Sequence, residues 1–134
     1  MTSPVHNCVL LADRHHGLSE GIRGLLETTF HAVVMVADEA SLSKSVGRLK
    51  PEIAVVDLSL VPGDSLHWLE RLRARCPDMK LVVISIYDEP AVRERALAAG
   101  ADAFVLKRNL ATDLLPTVDA VLAAENTNKA GTLN

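Results

Sequence analysis

Five short apolar runs alternate with amphipathic stretches along the chain. Val and Ile favour strands, and a run that is apolar on every side suits a strand buried on both faces. Between the runs, leucine, isoleucine and valine recur at helical spacing, which predicts a helix after each strand. The predicted strands lie at about residues 6–12, 32–37, 52–57, 80–86 and 102–106.

Turn and capping residues bound the predicted helices. The second and third helix patterns stop before Pro51 and Pro77, and the fourth ends at Gly100, a predicted left-handed cap. Aspartates stand where helix N-termini are expected. These are Asp38, Asp64 and Asp88.

The alternation of strands and helices indicates a parallel sheet covered by helices on both faces. Right-handed crossovers then give a flavodoxin-like (βα)5 α/β domain with strand order 2-1-3-4-5. We expect this domain to span residues 1–124. Residues 125–134 are polar and aperiodic, which predicts a tail or the start of a linker to an output domain absent from the chain.

The composition of the chain excludes several classes of protein. The 134 residues fit one domain, and the net charge of −3 argues against a nucleic-acid-binding surface. No apolar stretch reaches the roughly 18 residues of a membrane span, and no signal-peptide pattern opens the chain. Cys8 and Cys76 have no metal or redox spacing, so we expect reduced thiols in a cytoplasmic protein.

Polar residues follow four of the apolar runs. Asp13, Asp57, Ser85 and Lys107 come where strands end, and the carboxyl edge of a parallel sheet is where such folds bind ligands. Two acids, a hydroxyl and an ammonium on one rim suit phosphoryl transfer to a carboxylate. Asp57 would be the nucleophile, Ser85 and Lys107 would contact phosphoryl oxygens, and a divalent cation would offset the negative charge.

At this point the chain resembles the receiver domain of two-component response regulators over residues 5–124. It is most similar to the NarL/FixJ group, whose receivers precede a LuxR-like helix-turn-helix. Six segments carry the resemblance, in order and at the expected spacings. They are residues 10–16 (LLADRHH), 20–26 (EGIRGLL), 55–58 (VVDL), 62–66 (PGDSL), 83–90 (VISIYDEP) and 98–107 (AAGADAFVLK).

The resemblance implies roles for individual residues. Asp57 is the phosphoacceptor, Ser85 the switch hydroxyl, Phe104 the switch aromatic and Lys107 the family's pocket lysine. Mg²⁺ would be held by Asp13, Asp57 and the backbone carbonyl of Ser59.

The resemblance also implies partners. A sensor histidine kinase would phosphorylate the chain, which would not be an enzyme beyond self-phosphotransfer. The surface of the fourth helix, fifth strand and fifth helix would control a homodimer or an attached DNA-binding, transcription-regulating domain. DNA would be bound by that absent C-terminal domain, and no membrane is involved.

One departure from the family pattern concerns the pair of acids after the first strand. Here the pair is Asp13 and Arg14, so a metal-ligating acid is replaced by a permanent cation. Cation binding should weaken, and Arg14 itself is a candidate partner of Asp57. The alternative function is therefore a degenerate, phosphorylation-independent receiver that serves as an interaction or dimerisation module.

Three other patterns favour structural roles. His15 and His16 are adjacent, and no carboxylate or cysteine completes a ligand set in the sequence pattern, which favours a solvent-facing loop pair. Trp68 lies among helix leucines and is expected to pack. A phosphatase or flavin carrier on the same fold is disfavoured, because no P-loop pattern appears.

Overall fold

The computed structural model describes residues 6–60 and 63–132. Pro62, the first residue of the 62–66 segment, and the preceding Val61 lie outside the described residues, as do the first five residues and the last two of the predicted tail. The elements in chain order are β1 (His6–Ala12), α1 (His16–Leu26), β2 (Phe30–Val36), α2 (Glu39–Leu49), β3 (Ile53–Asp57), α3 (Ser65–Arg75), β4 (Lys80–Ser85), α4 (Pro90–Ala98), β5 (Ala103–Leu106) and α5 (Leu110–Thr132). Short 3₁₀ turns follow β3 and β5 at Leu58–Leu60 and Lys107–Asn109.

The five strands form one parallel sheet in the order β2-β1-β3-β4-β5, which confirms the predicted fold class. Asp57 pairs in register with Ile84, and Ser85 pairs with Leu106. The residues that end β3, β4 and β5 therefore share one edge of the sheet.

Two apolar clusters lie on opposite faces of the sheet. Side chains alternate along each strand, so Leu10 and Ala54 pack with α2, α3 and α4 on one face. Val9 and Val55 pack with α1 and α5 on the other face. Because both faces are covered, the residues of β3 are buried along the whole strand. The buried polar residues of the described chain lie at the carboxyl edge of the sheet.

The helix caps agree with the sequence in two of three cases. Asp38 accepts a hydrogen bond from the Ser41 N–H at 2.7 Å, and Asp64 accepts one from the His67 N–H at 3.0 Å. Asp88 lies next to the N-terminus of α4, where the sequence predicts a helix start, but it does not cap the helix. Glu89 is the N-cap residue and Pro90 begins the helix, so Asp88 is left to pair with Arg108.

Gly100 adopts the left-handed conformation that the sequence predicts after α4, with φ of +118°. A Cβ at this position would lie 2.7 Å from Cγ of Arg73, so glycine is required by space as well as by φ. Arg73 donates to the Gly100 carbonyl at 2.9 Å, which ties α3 to the turn before β5.

Helix α5 continues past the predicted domain end and includes residues 125–132 of the expected tail. The boundary at residue 124 and the linker after it stay predictions. Trp68 is buried in the core, as expected, and Cys8 and Cys76 are both free thiols. Within the described residues, no helix combines the length and apolar character needed to cross a membrane.

Candidate functional site

Four polar side chains are buried at the carboxyl edge of the sheet. Asp13 follows β1, Asp57 ends β3, Ser85 ends β4 and Lys107 follows β5. They are the buried polar residues of the described chain, with exposures of 1–8%. Buried polar groups persist when they are paired or perform a function, so this cluster is the candidate site.

The ammonium of Lys107 connects the two aspartates. Its Nζ lies 2.9 Å from Asp57 Oδ2, 3.3 Å from Asp13 Oδ1 and 3.1 Å from Asp13 Oδ2. All three side chains are at most 6% exposed. The ion pairs therefore form in a setting of weak solvent screening, where one cation balances part of the charge of two carboxylates.

Asp57 is also held by the turn that follows it. The Ser59 N–H donates to Oδ1 at 3.0 Å, and the Ser59 hydroxyl donates to Oδ2 at 2.9 Å. Burial raises the pKa of Asp57, but hydrogen bonds from Lys107 and Ser59 and the charge of Lys107 lower it by more, so the pKa lies below its ordinary value. The carboxylate is therefore ionised at neutral pH, as a nucleophile requires.

Asp13 offers one oxygen that accepts no hydrogen bond. Its Oδ1 accepts from the backbone N–H of His15 at 2.8 Å. Its Oδ2 is fully buried without a hydrogen-bond donor, although it lies 3.1 Å from Lys107 Nζ. This oxygen is therefore paired with the Lys107 ammonium through charge, in a geometry that falls short of a hydrogen bond.

His15 is exposed in the loop before α1, as the sequence predicts, and its ring also contacts the candidate site. Its side chain is 57% exposed, yet Nδ1 lies 3.1 Å from Asp13 Oδ1, 3.0 Å from Lys107 Nζ and 3.7 Å from Asp57 Oδ2. The bond from the His15 N–H to Asp13 folds the loop back and aims the ring into the pocket. An Asp that binds the N–H two residues later is a known turn signal, and it was the clue in the sequence. Asp13 and Asp57 supply the carboxylates whose absence was assumed for a histidine metal site.

Arg14 lies outside this set of contacts. Its Nη2 donates to the Leu60 carbonyl at 2.9 Å, in the turn after β3. The cation that pairs with Asp57 is Lys107, where Arg14 was a candidate. Arg14 thus adds positive charge beside the pocket and fastens the loop after β1 to the loop after β3.

The two predicted switch residues, Ser85 and Phe104, are both buried. The Ser85 hydroxyl accepts a hydrogen bond from the Tyr87 N–H at 3.0 Å, in the loop between β4 and α4. Phe104 is already buried, at 8% exposure, in the cluster under α4. The predicted inward movement of this ring would therefore have to start from a more exposed position than the one in this structure.

The residues present do not match the preferences of Mg²⁺. Asp13, His15 and Asp57 each place one donor atom within 4.8 Å of the others. Mg²⁺ takes oxygen ligands in a near-octahedral arrangement, whereas this set includes a nitrogen, and Lys107 and Arg14 contribute positive charge. The ligand role of the Ser59 carbonyl stays a prediction.

A known protein family and several curated proteins are similar to this chain over most of its length. The family model for the response regulator receiver domain matches residues 9–119. A Pseudomonas aeruginosa protein named for transcriptional regulation is 33% identical over 116 residues, which are 86% of this chain and 56% of that protein. The chain spans about half the length of the curated relatives it matches.

Solved structures give the same picture. The response regulator RcsB of Salmonella typhimurium has a TM-score of 0.81 and 25% identity, covering 89% of this chain and 61% of RcsB. The signal receiver domain of NarL from Mycobacterium tuberculosis has a TM-score of 0.75 and 25% identity, covering 91% of this chain and 97% of that domain. These comparisons confirm the resemblance to response regulator receiver domains and to the NarL group.

Proposed function

Because the chain belongs to the response regulator receiver domain family, we propose that it accepts a phosphoryl group on Asp57 from a sensor histidine kinase. The observation that carries the proposal is the buried Asp57 carboxylate, which lies 2.9 Å from Lys107 at the edge where the strands end. An ionised nucleophile beside a fixed ammonium is the arrangement that phosphoryl transfer to a carboxylate needs.

The transfer forms one bond and breaks one. A carboxylate oxygen of Asp57 attacks the phosphorus of a phosphohistidine, which forms a P–O bond and an acyl phosphate. The P–N bond breaks, its electron pair stays on the donor imidazole, and that nitrogen takes a proton from water. Lys107 pairs with the negative phosphoryl oxygens, and Ser85 donates its hydroxyl hydrogen to one of them.

Phosphorylation would pull on two connections to the surface. Ser85 would give up its bond with the Tyr87 N–H to reach the phosphoryl group. Lys107 would shift together with its neighbour Arg108, which is bonded to Asp88 in the loop before α4. Both movements act on the loop that precedes α4 and would bias a two-state surface.

The surface that would respond lies between α4, β5 and α5. A groove of about 580 Å³ runs along these elements, and Phe104 lines it together with the exposed Leu97 and the charged Arg93. We infer that this groove controls a homodimer or an attached DNA-binding domain. The greater length of the relatives supports an output domain beyond the receiver.

The alternative is a receiver that works without phosphorylation. The observation that favours it is the charge of the pocket, where Lys107 already pairs with both Asp13 and Asp57 and Arg14 stands in place of an acid. A pocket balanced in this way needs no metal to hold its shape, and the module would act by protein contact alone.

Intact-mass spectrometry with acetyl phosphate tests the proposal. The wild-type chain should gain one phosphoryl group, and Asp57→Asn should gain none. Asp119→Asn is the matched control, because Asp119 is an exposed aspartate on α5, and it should gain the group as the wild type does. If the wild type gains none and Arg14→Asp does, the phosphorylation-independent alternative replaces the proposal.

A further inference from the structure

We propose that Lys107 and Arg14 supply the positive charge for phosphoryl transfer to Asp57, so that the reaction needs no divalent cation. The inference rests on the proposed function, because it concerns how the same carboxylate is phosphorylated. It adds Arg14 to the residues that act on the phosphoryl group.

The charged side chains at the carboxyl edge of the sheet balance one another. Lys107 Nζ lies 2.9 Å from Asp57 Oδ2 and 3.1 Å from Asp13 Oδ2. Arg14 follows Asp13 directly and is bound to the turn after β3. Two carboxylates therefore face two cations, and the group carries no net charge before any ion binds.

His15 fixes the position of Lys107 without adding charge. Its Nδ1 lies 3.0 Å from Lys107 Nζ. An ammonium has donors and no acceptor, so Nδ1 must accept, and the imidazole is neutral in this contact. The ammonium thus has acceptors on Asp13, His15 and Asp57, which hold it beside the nucleophile.

Arg14 is fixed to the same turn that holds Asp57. Its Nη2 donates to the carbonyl of Leu60, a residue that is only 1% exposed. The residue before Leu60 is Ser59, whose N–H and hydroxyl both donate to the Asp57 carboxylate. A guanidinium has five N–H donors in a geometry that matches phosphoryl oxygens, and the Leu60 carbonyl takes one of them.

Phosphorylation makes this pocket more negative. Asp57 exchanges one negative charge for the roughly two of a phosphoryl group, and the excess develops beside two fixed cations. A divalent ion would instead have to enter a neutral pocket against the charges of Lys107 and Arg14, where solvent screening is weak. The charge of the pocket therefore favours transfer without an ion.

Intact-mass spectrometry measures the rate of phosphorylation by acetyl phosphate in EDTA and in MgCl₂ at equal ionic strength. An Asp57 oxygen attacks phosphorus and forms a P–O bond, the bond from phosphorus to the acetyl oxygen breaks, and acetate leaves with the electron pair. The wild type should react at nearly the same rate in both buffers. Arg14→Asp should react at least about tenfold faster in MgCl₂ than in EDTA, since a divalent ion restores the neutrality that the substitution removes.

Two further variants separate the charge of Arg14 from its size. Arg14→Gln should lower the rate in EDTA by at least about tenfold, because a charged donor to the phosphoryl oxygens is lost. Arg14→Lys keeps the charge and should retain most of the wild-type rate. Arg48→Gln is the control, because Arg48 is exposed on α2, and it should react as the wild type does.

Phosphorylation of the wild type in MgCl₂ but not in EDTA would overturn the inference and leave the proposed function standing. A wild-type rate for Arg14→Gln in EDTA would also overturn it. A wild type that gains no phosphoryl group in either buffer would overturn both the inference and the proposed function. Titration calorimetry with MgCl₂ needs no phosphodonor, and Mg²⁺ binding by the wild type as tight as by Arg14→Asp would contradict the inference directly.

Discussion

The ammonium of Lys107 lies 2.9 Å from Oδ2 of Asp57, and the two side chains are only 6% and 2% exposed. They stand 50 residues apart in sequence and meet because β3 and β5 end at the same edge of the sheet. A buried pair of this kind contributes little net stability, but losing one member leaves the other charged and buried. A substitution at Lys107 or Asp57 should therefore change both the stability of the domain and the reactivity of the Asp57 carboxylate.

Lys107→Met should lower the free energy of unfolding by about 3 kcal/mol, the range measured for breaking buried ion pairs. The cause is that Asp13 and Asp57 would face each other without their shared cation. Urea denaturation gives the value. Lys44→Met, on an exposed position of α2, is the control and should change the stability by less than about 0.5 kcal/mol.

The double variant Lys107→Met with Asp57→Asn completes this test. Removing the charge of Asp57 takes away the repulsion that Lys107→Met exposes, so the double variant should be more stable than Lys107→Met alone. Strict additivity of the two single effects would show that the pair does not interact.

The pKa of Asp57 lies below its ordinary value of 3.8, and this makes stability depend on pH. The unfolded chain binds more protons than the folded chain between the two pKa values. The contribution of Asp57 is therefore complete above the ordinary pKa and is lost as the pH falls through the folded pKa. Urea midpoints measured from about pH 6 to about pH 2.5 should fall more steeply for the wild type than for Asp57→Asn. If the urea midpoints of the wild type and Asp57→Asn fell in parallel with pH, the Asp57 ion pair would not be the source of the pH dependence.

Arg14→Asp should strengthen Mg²⁺ binding by at least about tenfold, because it exchanges a permanent cation for an anion beside the pocket. Titration calorimetry with MgCl₂ measures the change. Arg48→Asp alters the net charge by the same amount at an exposed site on α2, so it separates a local effect from a change in overall charge. Equal Mg²⁺ affinity in wild type and Arg14→Asp would show that Arg14 does not limit metal binding.

Arg73 forms hydrogen bonds at the edge of the sheet where β4 and β5 begin, opposite the candidate site. It donates to the carbonyls of Gly100 and Met79 and, at 2.7 Å, to the carboxylate of Asp102. Hydrogen bonds from a charged donor contribute about 1.5–3 kcal/mol each, so Arg73→Met should cost about 3 kcal/mol after relaxation. Thermal or urea unfolding measures the loss, and Arg71→Met, exposed on the same helix, should have little effect. A small loss for Arg73→Met would mean that water replaces these bonds.

Ser85→Ala should separate phosphorylation from its output. Asp57 and Lys107 remain in place, so the variant should still gain a phosphoryl group. The amide NMR signals of residues 87–90 should then move much less on phosphorylation than in the wild type, because no hydroxyl exchanges the Tyr87 N–H for the phosphoryl group. Ser45→Ala on α2 should behave as the wild type. Wild-type shifts in Ser85→Ala would remove Ser85 from the switch.

The strands and four site residues were predictable because their signals are local. Apolar runs identify buried strands, and a polar residue directly after such a run must emerge at the sheet edge. Asp13, Asp57, Ser85 and Lys107 all follow this rule. The strand order followed from the alternation of strands and helices and the handedness of the crossovers.

Features that depend on loop geometry were not predictable in the same way. His15 reaches the pocket only because Asp13 folds the loop back, and a histidine pair in a loop gives no such direction by itself. The contacts of Arg73 join residues up to 29 positions apart, which no local pattern reports. Asp88 does not cap α4, because the helix begins at Pro90 and Glu89 is therefore its N-cap residue.

The most direct test of the central claim is to find which residue carries the phosphoryl group. The chain would be incubated with acetyl phosphate, reduced with borohydride, which converts an aspartyl phosphate to homoserine, and mapped by tandem mass spectrometry. The account predicts homoserine at position 57 and at no other aspartate of the pocket. Homoserine at position 13, or unmodified aspartate at position 57 in a chain that has gained a phosphoryl group, would contradict it.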